Sequence, residues 1–446
     1  MPKCTVFVHQ NDMNTKTLAI FICTLVFLMG CNGPNIKKIF RGNNPYDQYR
    51  NFLQSSEFDN AALVRDWVQA GEMALISPIE VNLPYQEISH FEKNEPQAIY
   101  LEFEAKEGQV ISAQVALIST ADSKFFIDMF EIGIGVRKNI QFAKDTNRLE
   151  FQVRNSGRLG LRIQPELFRG GIVEISIQQN PSLAFPITGK NHRNIASFFG
   201  VPRDGGKRVH EGVDVFAARG TPVTAVSRGS VSSVGVNRLG GKTVRLSHDG
   251  YSYYYAHLDS QLVRSGQKVR VGDTLGTVGN TGNAITTAPH LHFGIYRSGR
   301  GAVDPFPFFE EIAEKGPLIL SDTANLGKMA RVNVPTANLR SHPNTKADIS
   351  QNLFQNEIFL LQGKINDWYR VLLPDGRMGY LFENLISHEP QTMEIPQDGD
   401  ELMIRERFAD SPSFEASKLG EKLEIIGQFQ NSRLLRTESG SLYWSY

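Results

Sequence analysis

Gly266-Gln-Lys-Val-Arg-Val-Gly-Asp-Thr-Leu-Gly-Thr-Val-Gly279 decides how the middle of the chain folds. Short runs of strand-forming residues, around Val269 and Leu275, are punctuated by Gly266, Gly272 and Gly279. Glycine accepts the positive φ that tight turns demand, so the stretch reads as hairpins of a small β-barrel-like domain. The same glycine-dense character runs from about residue 181 to 316, behind a linker-like segment between Pro181 and Pro186.

Upstream the pattern is strictly alternating. Ile99, Leu101, Phe103 and Ala105 interleave with Tyr100, Glu102 and Glu104; Ile111 to Leu117 and Leu149 to Val153 repeat the pattern. Such strands bury one face and wet the other, which predicts an antiparallel β-sandwich over residues 79–180. Residues 32–78 read as a helical spacer, with Asn60 as the N-cap of a helix carrying Leu63, Val64, Trp67 and Val68 on one face. At the start, Lys16 precedes an apolar run from Leu18 to Leu28, too short to cross about 30 Å of hydrocarbon and typical of a signal peptide. The run ends in Leu28-Met29-Gly30-Cys31, which resembles the lipobox of bacterial lipoproteins. That resemblance implies cleavage after residue 30, lipidation of Cys31 and a membrane tether outside the cytoplasm. Cys4 and Cys23 would leave with residues 1–30, so no disulfide is expected.

Downstream lies an internal repeat. Leu339 and Arg340 match Ile404 and Arg405, Phe354 matches Leu419, and Leu360 and Leu361 match Ile425 and Ile426 without a gap. Residues 326–388, with Asn338-Leu-Arg-Ser341, Trp368-Tyr-Arg-Val371 and Gly376-Arg-Met-Gly-Tyr-Leu381, resemble bacterial SH3-like domains. Residues 395–446 form a second, divergent copy with Arg433 in place of Trp368. The whole is therefore expected to be mainly β and multidomain.

Composition narrows the function classes. With 446 residues, 41% of them hydrophobic, the chain has enough apolar material for several packed cores, which excludes general disorder. Lys+Arg and Asp+Glu balance at 47 each, so the basic field that nucleic-acid binding needs is missing.

The chemistry concentrates in the glycine-dense region. His210-Glu-Gly-Val-Asp214, Ala256-His257-Leu258 and His290-Leu-His292-Phe293 bring histidines and a carboxylate in metal-ligand arrangements. As a strand, the last segment puts His290 and His292 on one face and Leu291 and Phe293 in the core. Same-face residues lie about 6.6 Å apart, long for sharing one ion but short enough for one to bind it and the other to reach its water. His210 and Asp214 would be about 13 Å apart on a straight strand, so a bend at Glu211-Gly212 is expected to turn both inward. By parity, His257 should face the same cleft as Tyr253 and Tyr255.

These segments, in this order, resemble the lysostaphin/LytM-type zinc endopeptidases, which cleave peptidoglycan peptides. The likeness covers roughly residues 185–310 and includes Gly220-Thr-Pro-Val223 and Gly279-Asn-Thr-Gly282. It implies one Zn2+ per chain ligated by His210, Asp214 and His292, with His257 and His290 catalytic, and peptidoglycan peptides as substrate. The competing implication is a non-catalytic LytM-type activator of cell-wall amidases, or a wall-binding lipoprotein. The intact set of five side chains argues for the enzyme.

Overall fold

The computed structural model describes residues 44–55, 61–118, 123–144, 147–312, 323–388, 402–408 and 411–445. Cys31, the stretch expected to be a signal peptide and Asn60 lie outside them. The chain is mainly β, with two sizeable helices near its start.

The alternating residues form two stacked sheets. One runs Ile79–Glu80, Ile99–Ala105, Gly157–Pro165, Phe125–Gly133, Val136–Phe142; the other contains Tyr85–Phe91, Gly171–Pro181, Gln109–Leu117 and Arg148–Gln152 in that order. Leu101, Phe103, Ile111, Ala113, Val115, Ile163 and Ile175 fill the space between them. Removing that apolar surface from water, at roughly 25 cal/mol per Å², is what holds the layers together.

Two expectations need correction. The outer face of Ile99–Ala105 is wet only at Glu104: Tyr100 and Glu102 are buried, and helix Ala62–Ile76 covers Tyr100 with Ala74 and Leu75. Residues 45–76 are likewise no free spacer. Tyr46 from helix Pro45–Ser55 stacks on Trp67 at 5.0 Å, and both pack on Phe126. Trp67 donates its indole N–H to the Pro165 carbonyl at 2.8 Å, and the buried Arg162 guanidinium lies 3.4 Å from the Tyr46 ring centre while pairing with Asp128. Such cation–π and charge-assisted contacts strengthen when water is excluded. The second helix begins after Ala61, which makes no side-chain cap.

The glycine-dense region folds as a sheet of order Ile195–Ser197, Val213–Phe216, His290–Arg297, Tyr251–Gln261, Gly241–His248, Gly229–Asn237, Lys268–Val269. Thr274–Val278 pairs with both Tyr251–Gln261 and Pro222–Thr224. Val213, Val215, Leu246, Tyr253, Tyr255, Leu291, Phe293 and Ile295 share a core on one side. The opposite face carries the histidines.

This sheet is clamped to the sandwich. Glu107 accepts from the Tyr251 hydroxyl at 2.8 Å and from Arg297 at 3.1 Å. Gly108 has φ +97, and a Cβ there would stand 2.2 Å from the Phe308 ring.

The C-terminal strands form two small β units that share a core: Phe429, Leu434 and Trp444 of the last unit pack with Ile358, Phe359 and Leu361. The first unit also joins the sandwich. Tyr85–Phe91 pairs antiparallel with Ile358–Ile365 through Ile88–Lys364 and Ser89–Gly363, so one sheet of 11 strands runs through both. Beneath that seam, Arg370 and Glu87 form a fully buried ion pair at 2.8 Å. Ser89 and the Tyr85 hydroxyl donate to the same carboxylate. Gly363 is required there, because a Cβ would sit 2.4 Å from Glu87 Oε1.

Candidate metal centre

Register explains why distant residues meet. Strand Val213–Phe216 pairs with His290–Arg297 so that Asp214 stands opposite His292 and Phe216 opposite His290. Leu291 and Phe293 are fully buried, which fixes the opposite parity for the two histidines. His210 precedes the strand, and the chain bends at Gly212. A side chain at Gly212 has no room: its Cβ would lie 2.5 Å from the Phe293 carbonyl oxygen and 2.8 Å from His292 Cε1. Gly212→Ala is therefore expected to displace His292 and reduce bound metal at least tenfold, read by elemental analysis of the purified protein.

His210 Nε2, Asp214 Oδ1 and His292 Nδ1 lie 3.0 Å from one another on every side. Ligands at about 2.0–2.2 Å around a tetrahedral ion stand about 3.3–3.6 Å apart, so the triangle needs only slight expansion to hold one. The donor chemistry agrees. His210 Nδ1 is 2.9 Å from the Phe198 carbonyl oxygen, which assigns the proton to Nδ1 and leaves a lone pair on Nε2. Lone pairs crowded around one point without protons between them call for a cation. No other group of three His, Cys, Asp or Glu side chains among the described residues has this character.

Protonation states fit the same purpose. Burial alone would raise the Asp214 carboxyl, yet the ring nitrogens of His210 and His292 set against it hold it well below the usual carboxylate range. Burial lowers His292 despite the pull of Asp214. At neutral pH the aspartate is ionised and His292 neutral, the forms in which both groups bind metals.

His257 and His290 stand beside this triangle, with ring centres 5.0 Å apart and His257 5.9 Å from His292. Each has Nδ1 against a carbonyl oxygen: His257 with Thr281 at 2.8 Å and His290 with Ala288 at 2.9 Å. Both Nε2 atoms are thereby left as proton acceptors. Burial, with smaller contributions from His290 and His292, pushes His257 down to about 4 against the opposing Thr281 contact.

The parity expected for the tyrosines is overturned. Tyr253 and Tyr255 are buried in the core, and Tyr254 faces the site with its ring centre 6.1 Å from His292. The cause is a bulge. His257 has φ +60, and the register with Gly241–His248 slips between Val244–Tyr255 and Lys242–Leu258. An extra residue in one strand flips the side-chain parity beyond it.

One contact had no signal in the sequence. Arg203, on the short Pro202–Arg203 strand, bonds Asp214 Oδ2 and Ser197 Oγ, each at 2.7 Å. Engaging Oδ2 leaves Oδ1 for the triangle. Arg203→Ala is expected to weaken metal binding about 10- to 100-fold, the usual effect of removing an outer partner, measured by chelator competition.

Residues 208–305 match the model of peptidase family M23, and the chain carries a domain of that family. The chain is similar to the L-Ala–D-Glu endopeptidase of Bacillus subtilis, 37% identical over 136 residues, covering 28% of this chain and 42% of that protein. It is also similar to the peptidoglycan DD-endopeptidase ShyC of Vibrio cholerae, 37% identical over 105 residues, covering 22% of this chain and 24% of that one. Among solved structures, the catalytic domain of lysostaphin from Staphylococcus simulans is 34% identical, with 26% of this chain and 93% of that chain covered and a TM-score of 0.24. The chain spans less than half the length of the two curated relatives named here.

Proposed function

We propose that the protein is a zinc-dependent endopeptidase that hydrolyses peptide cross-links of bacterial peptidoglycan, with one Zn2+ per chain held by His210, Asp214 and His292. The observation that carries this reading is the 3.0 Å triangle of ligand atoms beside two imidazoles whose Nε2 atoms are unengaged. The named activities of the Bacillus and Vibrio relatives support the substrate class.

When bound, the ion supplies Lewis acidity for the scissile carbonyl and lowers the pKa of water towards about 7. The residues around it handle protons. His257 and His290 are held by backbone carbonyls with Nε2 free to accept; one takes the proton of the attacking water and delivers it to the leaving amine. The other, carrying on its Nε2 a proton taken from bulk water, donates a hydrogen bond to the charge developing on the carbonyl oxygen. Residues 1–31 would direct export, and lipidation of Cys31 would anchor the protein to a membrane facing the periplasm or cell wall. The two C-terminal units would act as SH3-like modules on wall ligands.

The test is digestion of purified peptidoglycan by the protein, with and without chelator. New amino termini that disappear with chelator support the enzyme. Muropeptides unchanged in every tube would instead favour a non-catalytic activator of cell-wall amidases, against which the complete ligand set counts.

A further inference from the structure

Next to the metal triangle, on the same face of the sheet, stands a cation without a counter-ion among the described residues. Arg245 projects from Gly241–His248 with its guanidinium carbon 4.3 Å from the centre of the Tyr254 ring and 5.1 Å from that of Tyr296. The two rings meet at 78°, so the guanidinium sits in their corner. Its hydrogen bond is a long one, from Nη1 to Ser252 Oγ at 3.5 Å, and among the described residues it forms no ion pair.

The corner is built, not incidental. Asn237 donates to the Tyr254 hydroxyl at 3.2 Å, and Gly240 makes room for it, since a Cβ there would lie 2.0 Å from that oxygen. Tyr296 donates its hydroxyl to Glu211 at 3.2 Å, which fixes the second ring of the corner. Opposite Tyr254 in register is Gly294, whose missing side chain makes room for the Glu211 carbonyl oxygen, 2.8 Å from where a Cβ would stand. Tyr254 therefore touches both sites: its edge approaches His292 and its face carries Arg245.

A guanidinium held in place by aromatic faces, half-buried and lacking an anion, is a carboxylate receptor. We propose that Arg245, set between Tyr254 and Tyr296, binds a free carboxylate of the substrate close to the scissile bond. The site then selects acidic stem peptides over a neutral glycine bridge. This rests on the endopeptidase reading and adds the substrate class to it.

The test uses the full-length protein and three probes. They are a stem-peptide dimer cross-linked through D-alanyl–diamino acid with the diamino-acid carboxyl free, the same dimer amidated there, and pentaglycine. The free acid is expected to be cleaved with kcat/KM roughly 10- to 100-fold above the amide, the range of one charge-assisted bond. Arg245→Gln should abolish that preference mainly through KM, Arg245→Lys should retain part of it, and Tyr254→Leu should reduce it with the charge intact. Equal cleavage of acid and amide by the parent protein, or an equal loss on both probes in Arg245→Gln, overturns the proposal. Equilibrium binding of the two dimers to the His257→Ala protein separates this from failure of the peptidase reading. If nothing is hydrolysed, a binding preference for the acid that vanishes on adding Arg245→Gln still supports the receptor. Equal or absent binding refutes it.

Discussion

His292→Ala is expected to reduce bound metal from one ion per chain to a small residue and to lower peptidoglycan hydrolysis by at least about 10³-fold, since metal and activated water are lost together. The protein should stay folded. Leu291 and Phe293, which anchor the strand, are untouched, and His292 is only partly buried. His257→Ala supplies the contrast: it should keep its metal and lose roughly 10²- to 10⁴-fold in turnover, the usual range for one general acid–base group. Elemental analysis alongside initial rates separates the two outcomes. Full metal occupancy in His292→Ala would remove His292 from the ligand set.

The second large effect lies far from the chemistry. Arg370→Ala should destabilise the protein by about 3–5 kcal/mol, because the Glu87 carboxyl would be left buried without its partner beneath the seam of the long sheet. Glu87 holds the Arg370 guanidinium charged against the opposing pressure of burial. Replacing both, as Glu87→Leu with Arg370→Met, should recover most of the loss, since no uncompensated charge then remains. Thermal unfolding midpoints of the single and double variants read this out. A double variant as unstable as the sum of its parts would mean that shape, not charge, governs the seam.

How far the molecule was legible in its residues depended on the range of each interaction. Alternation is local, so the sandwich core and the opposed parity of His290 and Leu291 followed from spacing alone. The bend before Asp214 was also foreseeable, because Gly212 and the distance constraint point to it. Parity failed at Tyr253 to Tyr255, where one residue at positive φ reverses the faces without changing the residue types around it. Tertiary cover was hidden as well. Tyr100 looked solvent-facing because nothing near it announces that Leu75 will lie on top. Arg203 could not be singled out among 47 basic residues, since its role depends on a hairpin folding back onto Asp214.

The pairing of Tyr85–Phe91 with Ile358–Ile365 also has a consequence for biosynthesis. The earlier strand leaves the ribosome some 270 residues before its neighbour exists, with the backbone at Ile88 and Ser89 lacking its partner on that side until then. A nascent chain stalled or clipped before residue 358 would therefore present a sticky, half-finished edge, prone to join another copy of itself.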